Sequence, residues 1–130
     1  MSYKIAIVED EVPIQQMYKM KLEREGFDVA TAANGFEGLK VIERFQPDLV
    51  LLDLRMPGMG GEEMLARLRD TEWGNGVRVV ILTNISKNEA PHALRFLHVD
   101  HYIVKAQHTP TQVVAIAKEV LNIKPVANNG

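Results

Sequence analysis

The stretch Asp48-Leu49-Val50-Leu51-Leu52-Asp53, running into Leu54-Arg55-Met56-Pro57-Gly58-Met59-Gly60-Gly61, decides how the rest of the chain is read. Four consecutive branched apolar residues bounded by acids have no alternation, as expected for a strand covered on both faces at the centre of a parallel sheet. The Pro- and Gly-rich segment that follows forces a turn. Asp53 therefore leaves a buried strand and stands at the sheet's edge, where open α/β folds place their ligands.

Working outward, three more apolar runs close on polar residues. Lys4-Ile5-Ala6-Ile7-Val8 ends at Glu9-Asp10, Val79-Val80-Ile81-Leu82 ends at Thr83, and His101-Tyr102-Ile103-Val104 ends at Lys105. Asp28 to Ala32 reads as a further short strand. Between the strands lie segments of helical period. Ile14, Met17, Tyr18 and Leu22 share one face up to Gly26, which suits a left-handed cap. Asn34-Gly35 reads as a turn before Leu39, Ile42 and Phe45, which recur until Gln46-Pro47 stops them. Gly61, Met64, Leu65 and Leu68 mark a third helix, and Ala90, Ala93, Leu94 and Leu97 a fourth. A fifth is signed by Thr109-Pro110-Thr111-Gln112, an N-cap, a first-turn proline and a capping-box glutamine ahead of Val113, Ile116, Ala117, Val120 and Leu121.

Five strands alternating with five helices predict a doubly wound, flavodoxin-like (βα)5 three-layer sandwich, its parallel sheet ordered 2-1-3-4-5. One domain over residues 1–123 is expected, with 124–130 a frayed tail. The switch point of that order lies between strands 1 and 3, which end in Asp10 and Asp53.

The chain has 130 residues, 46% hydrophobic and 25% charged, with a formal net charge of -2. Mixed charges of nearly balanced sign disfavour direct binding of nucleic acid or an anionic membrane. There is no cysteine, which excludes disulfides, thiol catalysis and thiolate metal sites. No apolar run approaches the ~20 residues needed to span a bilayer and no signal-like segment opens the chain, so a cytoplasmic location is expected. The four histidines have no ligand-like spacing. Met17, Met20 and Met64 read as helix packing, and Trp73 as a loop aromatic folded onto its own domain.

Glu9, Asp10 and Asp53 in one crevice repel one another. Two carboxylates about 4 Å apart cost ~4 kcal/mol at an effective dielectric of 20 unless a cation sits among them. A hard divalent ion such as Mg2+ suits carboxylates that form an incomplete cage. Asp53 then serves as ligand or as nucleophile towards a phosphoryl group, with Lys105 pairing to phosphoryl oxygens and Thr83 donating a hydroxyl hydrogen bond. A nucleotide or flavin module would want a Gly-rich loop after strand 1, whereas Glu9-Asp10-Glu11 repels phosphate. An aspartate-nucleophile phosphohydrolase would want a second acid two residues after Asp53, where Arg55 stands.

These residues together, over Tyr3 to Leu121, resemble the receiver domain of two-component response regulators, of the single-domain chemotaxis-regulator type. The resemblance implies that Asp53 is the phosphoacceptor and that Asp10, Asp53 and the Arg55 backbone carbonyl bind Mg2+, or Mn2+ in its place, with Glu9 contacting the ion through water. It implies that Thr83 and Lys105 read the phosphoryl group and that Tyr102 is a switch residue whose rotamer follows Thr83. The implied donor is a histidine kinase, a histidine phosphotransfer protein or a small acyl phosphate. A downstream protein would meet the face formed by the fourth helix, fifth strand and fifth helix, the regulator being a monomer or a phosphorylation-promoted dimer. No separate substrate turnover is expected, and too little sequence follows the fifth helix for an output domain, so the effect is expected to pass to another molecule. The alternative is a receiver-like interaction scaffold that is not phosphorylated.

Three positions depart from the family pattern. Ala106 follows Lys105 where a cis-proline is usual, and a cis bond without proline costs about 2.5 to 4 kcal/mol. Asn84 follows Thr83 where a small residue is common, so the phosphoryl lifetime is expected to depend on Asn84 and Arg55. His98-Val99 replaces a Gly-Ala pair, which predicts a left-handed His98.

Overall fold

The computed structural model describes residues 2–123. The chain runs β1 Lys4–Val8, α1 Val12–Arg24, β2 Asp28–Ala32, α2 Gly35–Phe45, β3 Leu49–Leu52, α3 Gly61–Arg69, β4 Arg78–Thr83, β5 His101–Val104 and α4 Pro110–Val120. All strand pairs are parallel, in the order β2-β1-β3-β4-β5. The flavodoxin-like architecture and the strand order are those the apolar runs predict. The tail expected at 124–130 lies outside the described residues.

Alternate residues of each central strand feed two cores. Ile5, Ile7, Leu49, Leu51, Val80 and Ile103 face Tyr18 and Leu22 of α1 and Val113 and Ala117 of α4. Ala6, Val8, Val50, Leu52, Val79 and Ile81 face Ile42 of α2 and Met64, Leu65 and Leu68 of α3. Every residue of β3 is buried, because the strand is covered on both faces. Trp73 packs against the α2–α3 core as expected, and Met17 and Met64 pack too. Met20 does not: it is 55% exposed on the outer side of α1.

The main correction concerns the fourth crossover. Instead of a fourth α-helix the chain forms two 3-10 turns, Lys87–Glu89 and His92–Phe96. Pro91 lies between them, has no N–H to donate and disfavours helical backbone at the residue before it. Ala90 accordingly has φ -64° and ψ 142°. Only five residues then remain in the second turn, and Phe96 within it is 80% exposed. Among the described residues there are thus four α-helices where five are expected, and residues 84–99 form a strap whose Ile85, Ala90, Leu94 and Leu97 pack on the core beneath α2 and α3.

Smaller expectations divide similarly. Gly26 and His98 take left-handed conformations, with φ of 92° and 55°. Asn34-Gly35 is not a free turn. Asn34 N-caps α2, its side chain accepting from the Glu37 N–H at 2.9 Å, and Gly35 is the first helical residue. The capping box at Thr109 and Gln112 is present in full. Among the described residues the peptide bonds are trans, Lys105–Ala106 included. Among the described residues no helix is long and apolar enough to cross a membrane.

Candidate functional site

Strand register brings the polar strand ends together. Val8 pairs with Leu52, Leu52 with Ile81, and Thr83 with Val104, so Glu9-Asp10, Asp53, Thr83 and Lys105 emerge side by side. The ladder continues for one rung past β1 and β3, with the Asp53 N–H donating to Val8 O at 3.0 Å. Asp53 is thereby held by the sheet although it follows the strand. Its Oδ1 accepts from the Arg55 N–H at 3.3 Å.

Glu9, Asp10 and Asp53 each present a carboxylate oxygen, and these oxygens lie within 4.8 Å of one another. Glu9 and Asp53 are buried, while Asp10 is half-buried. The Lys105 ammonium donates to Glu9 Oε1 and, at 3.2 Å, to Asp53 Oδ2. The second oxygen of Glu9 accepts from the Glu11 N–H at 3.0 Å. Burial pushes the Glu9 carboxyl above its ordinary range, against the opposing hydrogen bond from Lys105, with the Asp53 charge adding to the rise. Burial would lower Lys105, but the hydrogen bond to Glu9 and the charges of Asp53 and Glu9 outweigh it and hold the ammonium protonated above its usual range. One cation thus neutralises part of a cluster of three acids.

The cleft above these groups is about 370 Å³ and is lined by Asp10, Asp53, Arg55, Thr83, Asn84 and Lys105, together with Glu11, Ile85 and Glu89. Of the residues singled out in the sequence, Asp10, Asp53, Thr83 and Lys105 line the cleft, as do Asn84 and Arg55; Glu9 does not line it and joins the group through its carboxylate, close to Asp10 and Asp53 and bonded to Lys105. Tyr102 does not line it. Its hydroxyl donates to Ile85 O at 2.7 Å, and the Ile85 N–H donates to Thr83 Oγ1 at 3.4 Å. Thr83 and Tyr102 therefore hold the two backbone polar groups of Ile85. Burial raises the Tyr102 phenol, with the charges of Asp53 and Glu89 acting in the same direction.

Glu89 was not singled out by sequence. It arrives from the first 3-10 turn, where Ser86 Oγ donates to Glu89 Oε1 at 3.1 Å. Ser86-Lys87-Asn88-Glu89 has the spacing of a helix-start motif, the one signal that a turn begins beside Thr83.

The family model of the response regulator receiver domain matches residues 5–118. The chain belongs to the response regulator receiver family. Among curated relatives, the phosphate regulon transcriptional regulatory protein PhoB of Pseudomonas aeruginosa is 37% identical over 119 residues, covering 90% of this chain and 51% of that protein. Sporulation initiation phosphotransferase F of Bacillus subtilis is 39% identical over 83 residues, covering 64% of this chain and 65% of that one. The chain spans about half to two thirds of the length of these relatives. Of solved structures, a CheY-like receiver domain protein from Methanospirillum hungatei superimposes with a TM-score of 0.83 at 31% identity, over 94% of this chain and 95% of that one. The response regulator TrrA of Thermotoga maritima, solved in complex with Mg2+ and BeF, gives 0.79 at 30% identity, over 91% and 98%. This receiver domain is therefore a module of two-component signalling.

Proposed function

We propose that the domain accepts a phosphoryl group on Asp53 from a histidine kinase or histidine phosphotransfer protein, in a Mg2+-dependent reaction, and thereby changes a face that binds a downstream protein. The observation that carries the reading is the convergence of three carboxylates and one ammonium at the switch point of the sheet, beside a cleft lined by Asp10, Asp53 and Lys105. That donor set fits a hard divalent ion, because its oxygens are close together and the carboxylates do not by themselves fill an octahedral shell. Asp10 and Asp53 would hold the ion with the Arg55 carbonyl, and Glu9 would act through water. When bound, Mg2+ offsets charge on the transferring group and on the acids.

The remaining work belongs to the chain's own side chains. An Asp53 carboxylate oxygen attacks phosphorus, the bond from phosphorus to the donor nitrogen or acyl oxygen breaks, and the leaving group departs with the electron pair. Lys105 already lies against Asp53 and would transfer its hydrogen bond to a phosphoryl oxygen. Thr83 would donate its hydroxyl hydrogen to another. As that hydroxyl turns towards the phosphoryl group it changes its contact with the Ile85 N–H, and the Tyr102–Ile85 bond follows. The 3-10 strap, β5 and α4 would carry the change to the partner.

The test is incubation with acetyl phosphate or beryllofluoride with and without Mg2+, read by intact-mass spectrometry and backbone NMR, with Asp53→Asn as control. A gain of one phosphoryl mass that needs both Mg2+ and Asp53 supports the reading. No Asp53-dependent change would leave an interaction scaffold in its place.

A further inference from the structure

Gln15 is 6% exposed, although it is polar and lies at the start of α1. It falls on the buried stripe of that helix with Tyr18 and Leu22, yet it contacts the end of the sheet. Its Nε2 donates to Glu9 O at 2.9 Å and to Ala32 O at 3.1 Å. Ala32 O also accepts from the Glu9 N–H at 2.9 Å, the last backbone rung between β1 and β2. The strand pairing ends at Val8–Ala32, and the Gln15 carboxamide adds a further tie between the two strand ends. The amide itself is oriented by Gln16 Nε2, which donates to Gln15 Oε1 at 3.0 Å.

The same residue closes the segment from the other side, because the Gln15 N–H donates to Glu11 O at 2.9 Å. Glu9-Asp10-Glu11 is thus gripped at its first carbonyl by the side chain of Gln15 and at its last by the backbone of Gln15. Between those grips lies Asp10, whose half-exposed carboxylate is aimed by its backbone.

We propose that Gln15 is a positioning residue for the cation site, holding the end of β1 so that Glu9 and Asp10 present their carboxylates to the ion together with Asp53. This inference rests on the reading of the cleft as a Mg2+ site. Gln15 touches neither the ion nor the phosphoryl group. Groups that orient metal ligands typically change affinity by 10- to 100-fold, and Gln15 acts through backbone, so the lower end of that range is expected.

The experiment is Mg2+ titration by isothermal calorimetry, alongside urea unfolding, on the parent, Gln15→Met and Leu121→Ala. Methionine keeps the volume and removes both donors. Leu121 is buried in the core between the sheet, α1 and α4, far along the chain from the acids, so its truncation lowers stability while leaving the Glu9-Asp10-Glu11 segment and its Gln15 bonds in place. Expected are a roughly tenfold weaker Mg2+ affinity in Gln15→Met and parent-like affinity in Leu121→Ala. If Gln15→Met binds Mg2+ as the parent does, the positioning role is overturned while the metal site stands. If the parent binds no Mg2+, the metal reading fails and takes this inference with it. Should Gln15→Met not fold, Gln15→Asn draws the amide back by one methylene and gives the same comparison, parent-like affinity again overturning the role.

Discussion

Gly61 packs so closely on Asp53 that a β-carbon at position 61 would stand 2.2 Å from the Asp53 carbonyl oxygen and 2.9 Å from the α-carbon of Leu54. The first residue of α3 and the proposed phosphoacceptor therefore share space that only a glycine leaves. Alanine is the better helix former by about 1 kcal/mol, but here it meets backbone that cannot move without shifting the cleft. Gly61→Ala is expected to lose about 1–3 kcal/mol of stability in urea unfolding, the usual cost of overpacking, and to slow phosphorylation of Asp53 by acetyl phosphate.

Lys105 now holds two of the acids that a cation would share. Its removal should move two measurements in opposite directions. In Lys105→Met a competing positive charge leaves the cleft, so Mg2+ affinity in calorimetry should rise several-fold, on the order of 1 kcal/mol. The phosphorylation rate should fall by roughly 100-fold, as for loss of one charge-stabilising donor. A parallel fall in both would mean that Lys105 only holds the site together.

The strand ends were legible because a parallel sheet buries its strands on both faces, which leaves continuous apolar runs such as Leu49–Leu52 and makes each terminating polar residue conspicuous. Their convergence followed from the strand order. The fourth crossover was not legible, since Ala90, Ala93, Leu94 and Leu97 have helical spacing whichever helix type forms. Pro91 was the sign against a continuous α-helix. Gln15 was hidden for a different reason: a polar residue on an apolar stripe reads as a register error unless the carbonyls that satisfy it are known. Its spacing to Tyr18 and Leu22 was the available signal.

Arg69 anchors the rear of the strap. Its guanidinium donates to the carbonyls of Leu97 at 2.7 Å, His98 at 2.6 Å, Val77 at 2.7 Å and Gly74 at 3.0 Å. A lysine keeps the charge but cannot reach these acceptors from one nitrogen. Arg69→Lys should therefore cost about 1–3 kcal/mol through unsatisfied carbonyls and speed amide hydrogen exchange within residues 92–98 more than in β3.

His98 holds a left-handed backbone with φ 55°, which costs a residue with a β-carbon roughly 1–2 kcal/mol. Its side chain is exposed, so little packing is lost when it is removed. His98→Gly should gain about 0.5–1 kcal/mol after allowance for the freer unfolded chain. A loss of stability in urea unfolding would mean that the imidazole supports the strap.

Glu25 at the end of α1 accepts a hydrogen bond from Lys118 of α4. That hydrogen bond, followed by the charge of Lys118, holds the Glu25 carboxyl below its ordinary range. A carboxyl depressed in the folded state binds protons more weakly there than in the unfolded chain, so its contribution is present above the unfolded pKa of about 4.3 and is lost as pH falls through the folded value. The difference in Tm between the parent and Glu25→Gln should be measurable at pH 7 in low salt and should vanish once the pH is well below 4.3. It should also shrink at 1 M salt, where the Debye length is about 3 Å. A difference that persists at low pH would assign the effect to packing between α1 and α4 and not to the ion pair.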